Sequence, residues 1–149
     1  MIEIKTNIKS VLNSISGKLP QNDVADKMLR TIAQNVFAEM KQRIHKSGLD
    51  SSGAPIGDYS RGYLATRVKN NRGTSTKVII SLTRQMENDM KVLATERGYG
   101  IGYSNPDDFD KVAYVEHTYG KKIFDLTEAE KLIVKETAKE FIKNLYGKT

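Results

Sequence analysis

Residues 23–44, DVADKMLRTIAQNVFAEMKQRI, decide how this chain folds. Val24, Met28, Ile32, Val36, Met40 and Ile44 step by four, and Leu29, Ala33 and Phe37 widen the stripe. Positions four apart share one side of an α-helix, so the pattern predicts a long amphipathic helix with a broad apolar face. Asp23 is placed to cap its start, and Gly48 to end it in the left-handed conformation that closes helices. A helix of this size needs a sheet or other helices against its apolar face.

Upstream, Met1 to Lys5 alternates apolar and polar residues, as a short strand does. Ile8, Val11, Leu12 and Ile15 predict a short helix from about Asn7 to Ser16, broken by Gly17 and Pro20. Downstream the texture changes. Gly48, Asp50, Ser51, Ser52, Gly53, Pro55, Gly57 and Asp58 are turn formers, and Asn70 to Ser75 is a second polar cluster. Residues 48–76 therefore read as a long loop, with one short helix around Arg61 to Val68. An irregular stretch of that length in a compact domain is usually functional.

Val78, Ile79 and Ile80 are β-branched and predict a strand core. Thr83 is placed to cap a short helix that turns Met86 and Met90 inward. Val92, Leu93 and Ala94, then Tyr99, Ile101 and Tyr103, predict a hairpin joined at Arg97-Gly98. Pro106 and Asp107 open another helix, carrying Phe109, Val112, Ala113 and Glu116 and ending at Gly120. Thr127 and Glu130 form a capping box, in which each side chain satisfies the other's backbone N–H. The last helix follows, with Leu132, Ile133, Phe141, Ile142 and Leu145 as its apolar stripe. Glu128–Lys131, Glu136–Lys139 and Glu140–Lys143 pair on its wet side, and Gly147 stops it. The expected fold is α+β: one domain over residues 1–149, with the long helix and the terminal helix packed on a small, mainly antiparallel sheet.

Composition bounds the function. The chain has 149 residues, enough for one core, with 38% apolar and 28% charged residues. No apolar run approaches the ~18 residues of a membrane span, and the N-terminus has no apolar h-region of a secretory signal. With no cysteine, disulfides and thiolate metal sites are excluded. The net charge of +6 is unevenly spread. Between Asp58 and Glu87 there is no acid, yet Arg61, Arg67, Lys69, Arg72, Lys77 and Arg84 fall there. Such a segment fits a phosphate, an acidic protein surface, or simply solvent.

Little in the sequence suggests bond-making chemistry. The only histidines are His45 and His117. Beside Asp50 and Glu116 they could serve as base or ligand, but neither has a histidine partner at i+4 and a catalytic metal wants three protein ligands. Both are expected to be ordinary surface or interface residues, and no metal or cofactor is expected. Gly98, Gly100 and Gly102 alternate as on a strand, with the third glycine too early for a nucleotide-binding turn. The seven tyrosines outnumber the four phenylalanines and cluster near loops. Tyrosine buries large area while keeping a polar tip, which suits protein interfaces; interleaved with arginine it also stacks on bases.

Several blocks in order carry a family resemblance. After the long helix come Gly48-Leu49-Asp50-Ser51-Ser52-Gly53 and Ile56-Gly57-Asp58-Tyr59-Ser60. Lys77 to Thr83 leads into Met86, and Tyr99 to Tyr103 precedes Ala113-Tyr114-Val115-Glu116-His117-Thr118-Tyr119-Gly120. Lys121 to Thr127 then leads into the final helix. Over about residues 25–145 this order resembles the phage virion-morphogenesis and tail-completion proteins, including the Mu-type tail completion protein and minor tail components of lambdoid phages. Tyr59 stands where that family tends to have Trp, Arg84 where it has Gly, and Lys122-Ile123 where it has Arg-Pro.

The resemblance implies a structural, non-enzymatic virion subunit, made in the host bacterial cytoplasm. It would form a ring such as a hexamer or dodecamer at the neck or tail end. Its partners would be copies of itself and neck, portal or tail-tube proteins, with non-specific DNA contact and no cofactor. A ring needs two different faces of each subunit to meet. Tyr59, Arg61, Tyr63, Arg67 and Arg72 are expected on one such surface, and Tyr114, Glu116, His117, Tyr119 and Lys122 on another. The competing reading is a basic nucleic-acid-binding protein acting through residues 59–84. A hydrolase using His45 or His117 is a remote third.

Overall fold

The computed structural model of the chain describes residues 23–80, 84–96 and 98–146. The strand and helix expected before Asp23, the Thr83 cap, Arg97 of the hairpin turn and the Gly147 stop lie outside the described residues. The fold is α+β. Helix α1 (Asp23–Gln42) runs into a π turn (Arg43–Ser47). Then follow α2 (Arg61–Lys69), α3 (Gln85–Asp89), β1 (Met90–Thr95), β2 (Gly98–Tyr103), α4 (Pro106–Tyr119) and α5 (Glu128–Tyr146). No helix among the described residues is long and apolar enough to cross a membrane.

The stripe on α1 is the spine of the core. Met28, Ile32, Val36, Met40 and Ile44 are buried, and Leu29 and Phe37 pack at the margin. Strands β1 and β2 form the antiparallel hairpin, with Val92 opposite Ile101 and Met90 opposite Tyr103. A two-stranded sheet is marginal alone, so it lies against α1. Helix α5 runs antiparallel to α1: Asn35 Nδ2 donates to Thr137 Oγ1 at 3.3 Å, and Arg43 meets Glu130 at 2.7 Å. Tyr103 meets Phe124 edge-on with centroids 6.1 Å apart, the arrangement the ring quadrupoles favour.

The start of α5 is the predicted capping box. Glu130 N donates to Thr127 Oγ1 at 3.0 Å, and Thr127 N to Glu130 Oε2 at 2.9 Å. Thr127→Ala is expected to cost about 1 kcal/mol of stability in urea unfolding, because a buried cap acceptor disappears.

Three expectations are corrected. Residues Val78, Ile79 and Ile80 form no strand beyond an isolated bridge at Asp58–Lys77. Val78 N pairs with Gly57 O at 3.0 Å, Ile79 N donates to the Tyr59 hydroxyl at 3.0 Å, and Ile80 has φ +33°. Their backbone is satisfied by the preceding loop, so among the described residues the sheet has two strands. On α5, Leu132 and Leu145 are exposed; Val134 and Ala138 carry the buried face. The capping box turns Glu130 inward, and 134 and 138 follow it at intervals of four. Met90 opens β1 rather than riding on the short helix, though it is buried as expected.

Residues 48–60 also differ from a free loop. Buried Asp50 accepts from Ser52 N at 2.8 Å, Ser52 Oγ at 2.6 Å and Ala54 N at 3.0 Å. Burial works to raise its carboxyl pKa, but those donors and Lys121 at 3.5 Å outweigh it and hold it below the usual range. Ser51 donates twice to Lys122 O, tying the loop to the segment before α5.

Candidate functional site

The two tyrosine groups expected on separate surfaces meet in one open cleft of about 720 Å³. Tyr59 and Tyr63 line one wall, and Tyr114 and Tyr119 the other. Val78, Ile80, Met86 and Val115 supply apolar lining, and Asp58, Arg84, Glu87 and Lys111 add charges. The volume falls within the range of ordinary ligand or anchor pockets.

Each wall has a local cause. Ser60 Oγ accepts from Tyr63 N at 3.3 Å and caps α2. The Arg67 guanidinium lies 4.6 Å from the Tyr59 ring centroid, and Tyr59 meets Tyr63 at 5.2 Å. This Arg–Tyr–Tyr stack holds a helix that buries only Arg67 and half-buries Leu64. Opposite, Asn105 Oδ1 accepts from Asp107 N and Pro106 occupies the first turn, fixing where α4 starts. Lys111, Tyr114, Val115, Thr118 and Tyr119 then share one helical face toward the cleft. A Cβ at Gly57 would lie 3.2 Å from Tyr119 Cδ1, so that ring depends on the missing side chain.

The charges are unequal. Asp58 is paired with Lys77 at 3.0 Å and Glu87 with Lys46 at 3.0 Å. Burial works to raise the Glu87 pKa, but Lys46, His45 and Lys41 outweigh it, so it stays ionised below its usual range. Lys111 holds the fully buried Asp108 at 2.6 Å, while Arg84 makes no ion pair among the described residues. Burial pushes the hydroxyl pKa of Tyr59 and Tyr119 up, so both are neutral phenols at physiological pH. The site therefore offers aromatic surface, phenol hydroxyls and slight positive charge.

The other expected residues lie elsewhere. Tyr59 is 9% and Arg67 3% exposed, so these two build the wall instead of presenting a free surface. Tyr63 and Tyr114 are exposed, at 39% and 70%. Arg61 and Arg72 are exposed outside the cleft. Glu116 accepts from Ile123 N at 2.8 Å and Phe124 N at 3.1 Å, a structural task. His117 and Lys122 are exposed nearby, with Lys122 3.9 Å from Glu116. Lys111, Val115 and Thr118 were not picked out by sequence, although their spacing with Tyr114 was there to read.

His45 is not a surface residue: it is 1% exposed, with Nδ1 2.8 Å from Ile80 O. A carbonyl only accepts, so Nδ1 carries the proton. Burial lowers its pKa below the ordinary 6.5, against the Ile80 carbonyl and Glu87, which raise it; Lys41 and Lys46 lower it further. Between the lowered value and 6.5 the unfolded chain binds more protons, so stability holds above that window and falls as the medium acidifies through it. Unfolding followed from about pH 7.5 to about pH 5.5 is expected to show falling stability, with a shallower slope in His45→Gln. Among the described residues, no group of three or more His, Asp or Glu could hold a metal.

No protein-family model, curated protein or solved structure matches this chain.

Proposed function

We propose that the chain is a structural subunit of a tailed-phage or prophage particle, completing the tail or joining head to tail. Its copies meet through the tyrosine cleft and close into a ring. The order of the sequence blocks supports the class. The observation that carries the mechanism is the cleft: four tyrosines from two segments, two of them exposed, over an apolar floor. Aromatic anchors in a partly desolvated pocket are where association energy concentrates. A concave patch fits a convex, differently shaped face of the next copy, and a heterologous contact of that kind makes a ring where its rotation closes.

Tyr114→Asp tests it. The ring is solvent-exposed in the monomer, so folding stability should change by no more than about 0.5 kcal/mol. Assembly should weaken by about 30-fold or more, the effect of losing a ~2 kcal/mol anchor. Sedimentation of wild type and variant reads both. A variant that assembles like wild type removes the cleft from the interface.

A further inference from the structure

We propose that the outer face of α2 and the turn after it binds the phosphate backbone of DNA without regard to base sequence. This surface lies outside the cleft, and the inference stands whether or not copies assemble. Helix α2 has no apolar stripe. Of its nine residues only Arg67 is buried, and that side chain is spent on the Tyr59 ring and on Arg72 O at 3.0 Å. A short helix is marginal in water without packing. Yet this one is held out from the body with nearly all its side chains in solvent.

What it holds out is positive charge. Arg61, Lys69 and Arg72 are exposed and make no ion pair among the described residues. Elsewhere cations are commonly matched: Lys46 by Glu87, Lys121 by Asp50, Lys131 by Glu128. Here no match is at hand, because the sequence has no acid between Asp58 and Glu87, and Asp58 is taken by Lys77. Arg61 and Lys69 stand about 12 Å apart along the axis, and Arg72 continues past the helix end. Duplex DNA carries a charge every ~1.7 Å of axis, so several phosphates fall within reach of the three.

The face suits a polyanion better than a folded protein. A protein interface needs an apolar centre sealed from water. Between the cations stand Gly62, Ala65 and Thr66, small and exposed; of the two large apolar side chains that α2 leaves in solvent, Tyr63 lines the cleft and Val68 stands beside the cations. Small residues let a backbone come close, and contacts of Arg and Lys to phosphate carry no sequence information.

Anisotropy of a short labelled DNA duplex tests this with the full chain. Three phosphate contacts give a slope of about −2.7 in log affinity against log salt, so binding weakens about 40-fold from 50 to 200 mM. The triple variant Arg61→Gln, Lys69→Gln, Arg72→Gln should lose most of that slope while unfolding as wild type does. A control pair on α5, Lys135→Gln with Lys143→Gln, should leave binding unchanged. Three results overturn the proposal: no binding at low salt, a slope the triple variant leaves intact, or an equal loss in the control pair.

Discussion

Replacing Arg43 with Met is expected to remove about 3–5 kcal/mol of folding stability, the cost of stranding one member of a buried ion pair. Arg43 is 8% exposed, and all its N–H groups are used. Nε and Nη2 reach Glu130 at 2.7 and 3.3 Å; Nη1 reaches Leu49 O at 3.0 Å and Ile123 O at 2.8 Å; Nη2 also reaches Asp125 O at 2.9 Å. One side chain thus joins the end of α1, the start of the 48–60 segment and the link into α5. Methionine fills similar volume but leaves the Glu130 carboxylate with one backbone donor and three carbonyls without theirs. Lysine cannot replace the planar fork, so Arg43→Lys should recover only part of the loss. Urea unfolding measures both, and a loss below about 1 kcal/mol in Arg43→Met contradicts this assignment. Adding Glu130→Gln to Arg43→Met should cost less than the two single changes summed, because they share one contact.

Gly48→Ala is expected to be comparably severe, costing more than about 3 kcal/mol. Gly48 sits at φ +66° as the left-handed cap of the π turn. A Cβ there would lie 2.1 Å from Val78 O, a backbone atom that cannot swing aside. Val78 is buried and forms part of the cleft lining, so relieving the clash moves the cleft itself. Gly53→Ala is the internal control. Its φ is +83°, with nothing within 4 Å of the added atom. It should cost only the left-handed penalty of about 1–2 kcal/mol. Equal losses at the two glycines would show that conformation alone, not the close approach to Val78, sets the effect.

Much of the fold was legible because local chemistry and tertiary demand agree. The four-residue stripe and Gly48 marked α1 and its end; Thr127 and Glu130 marked the start of α5; the glycine alternation marked β2. What failed depended on neighbours distant in sequence. Val78 to Ile80 have strand composition, but their partners are Gly57 and Tyr59 in a loop. Leu132, Ile133 and Val134 are consecutive apolar residues, and which one faces inward follows from the Arg43–Glu130 contact. His45 stands beside Lys46 where the helical stripe ends, which reads as exposed, yet Arg43, Ile44 and His45 are buried in succession in the π turn.

The site was half legible. The tyrosines near loops could be read from the sequence, but not that Tyr59, Tyr63, Tyr114 and Tyr119 line one cleft. Tyr59 and Tyr63 are four apart on either side of the Ser60 cap, and the sequence gives them equal standing. Arg67 stacked on Tyr59 is what makes one a wall and the other a rim. Glu116 and Arg67, expected at a partner surface, serve the fold instead.

The mass of the wild-type chain across a wide concentration range tests self-assembly through the cleft most directly. A heterologous contact predicts species of more than two copies that grow with concentration and converge on one closed ring. A monomer at every concentration, or a dimer that saturates at two copies, contradicts it.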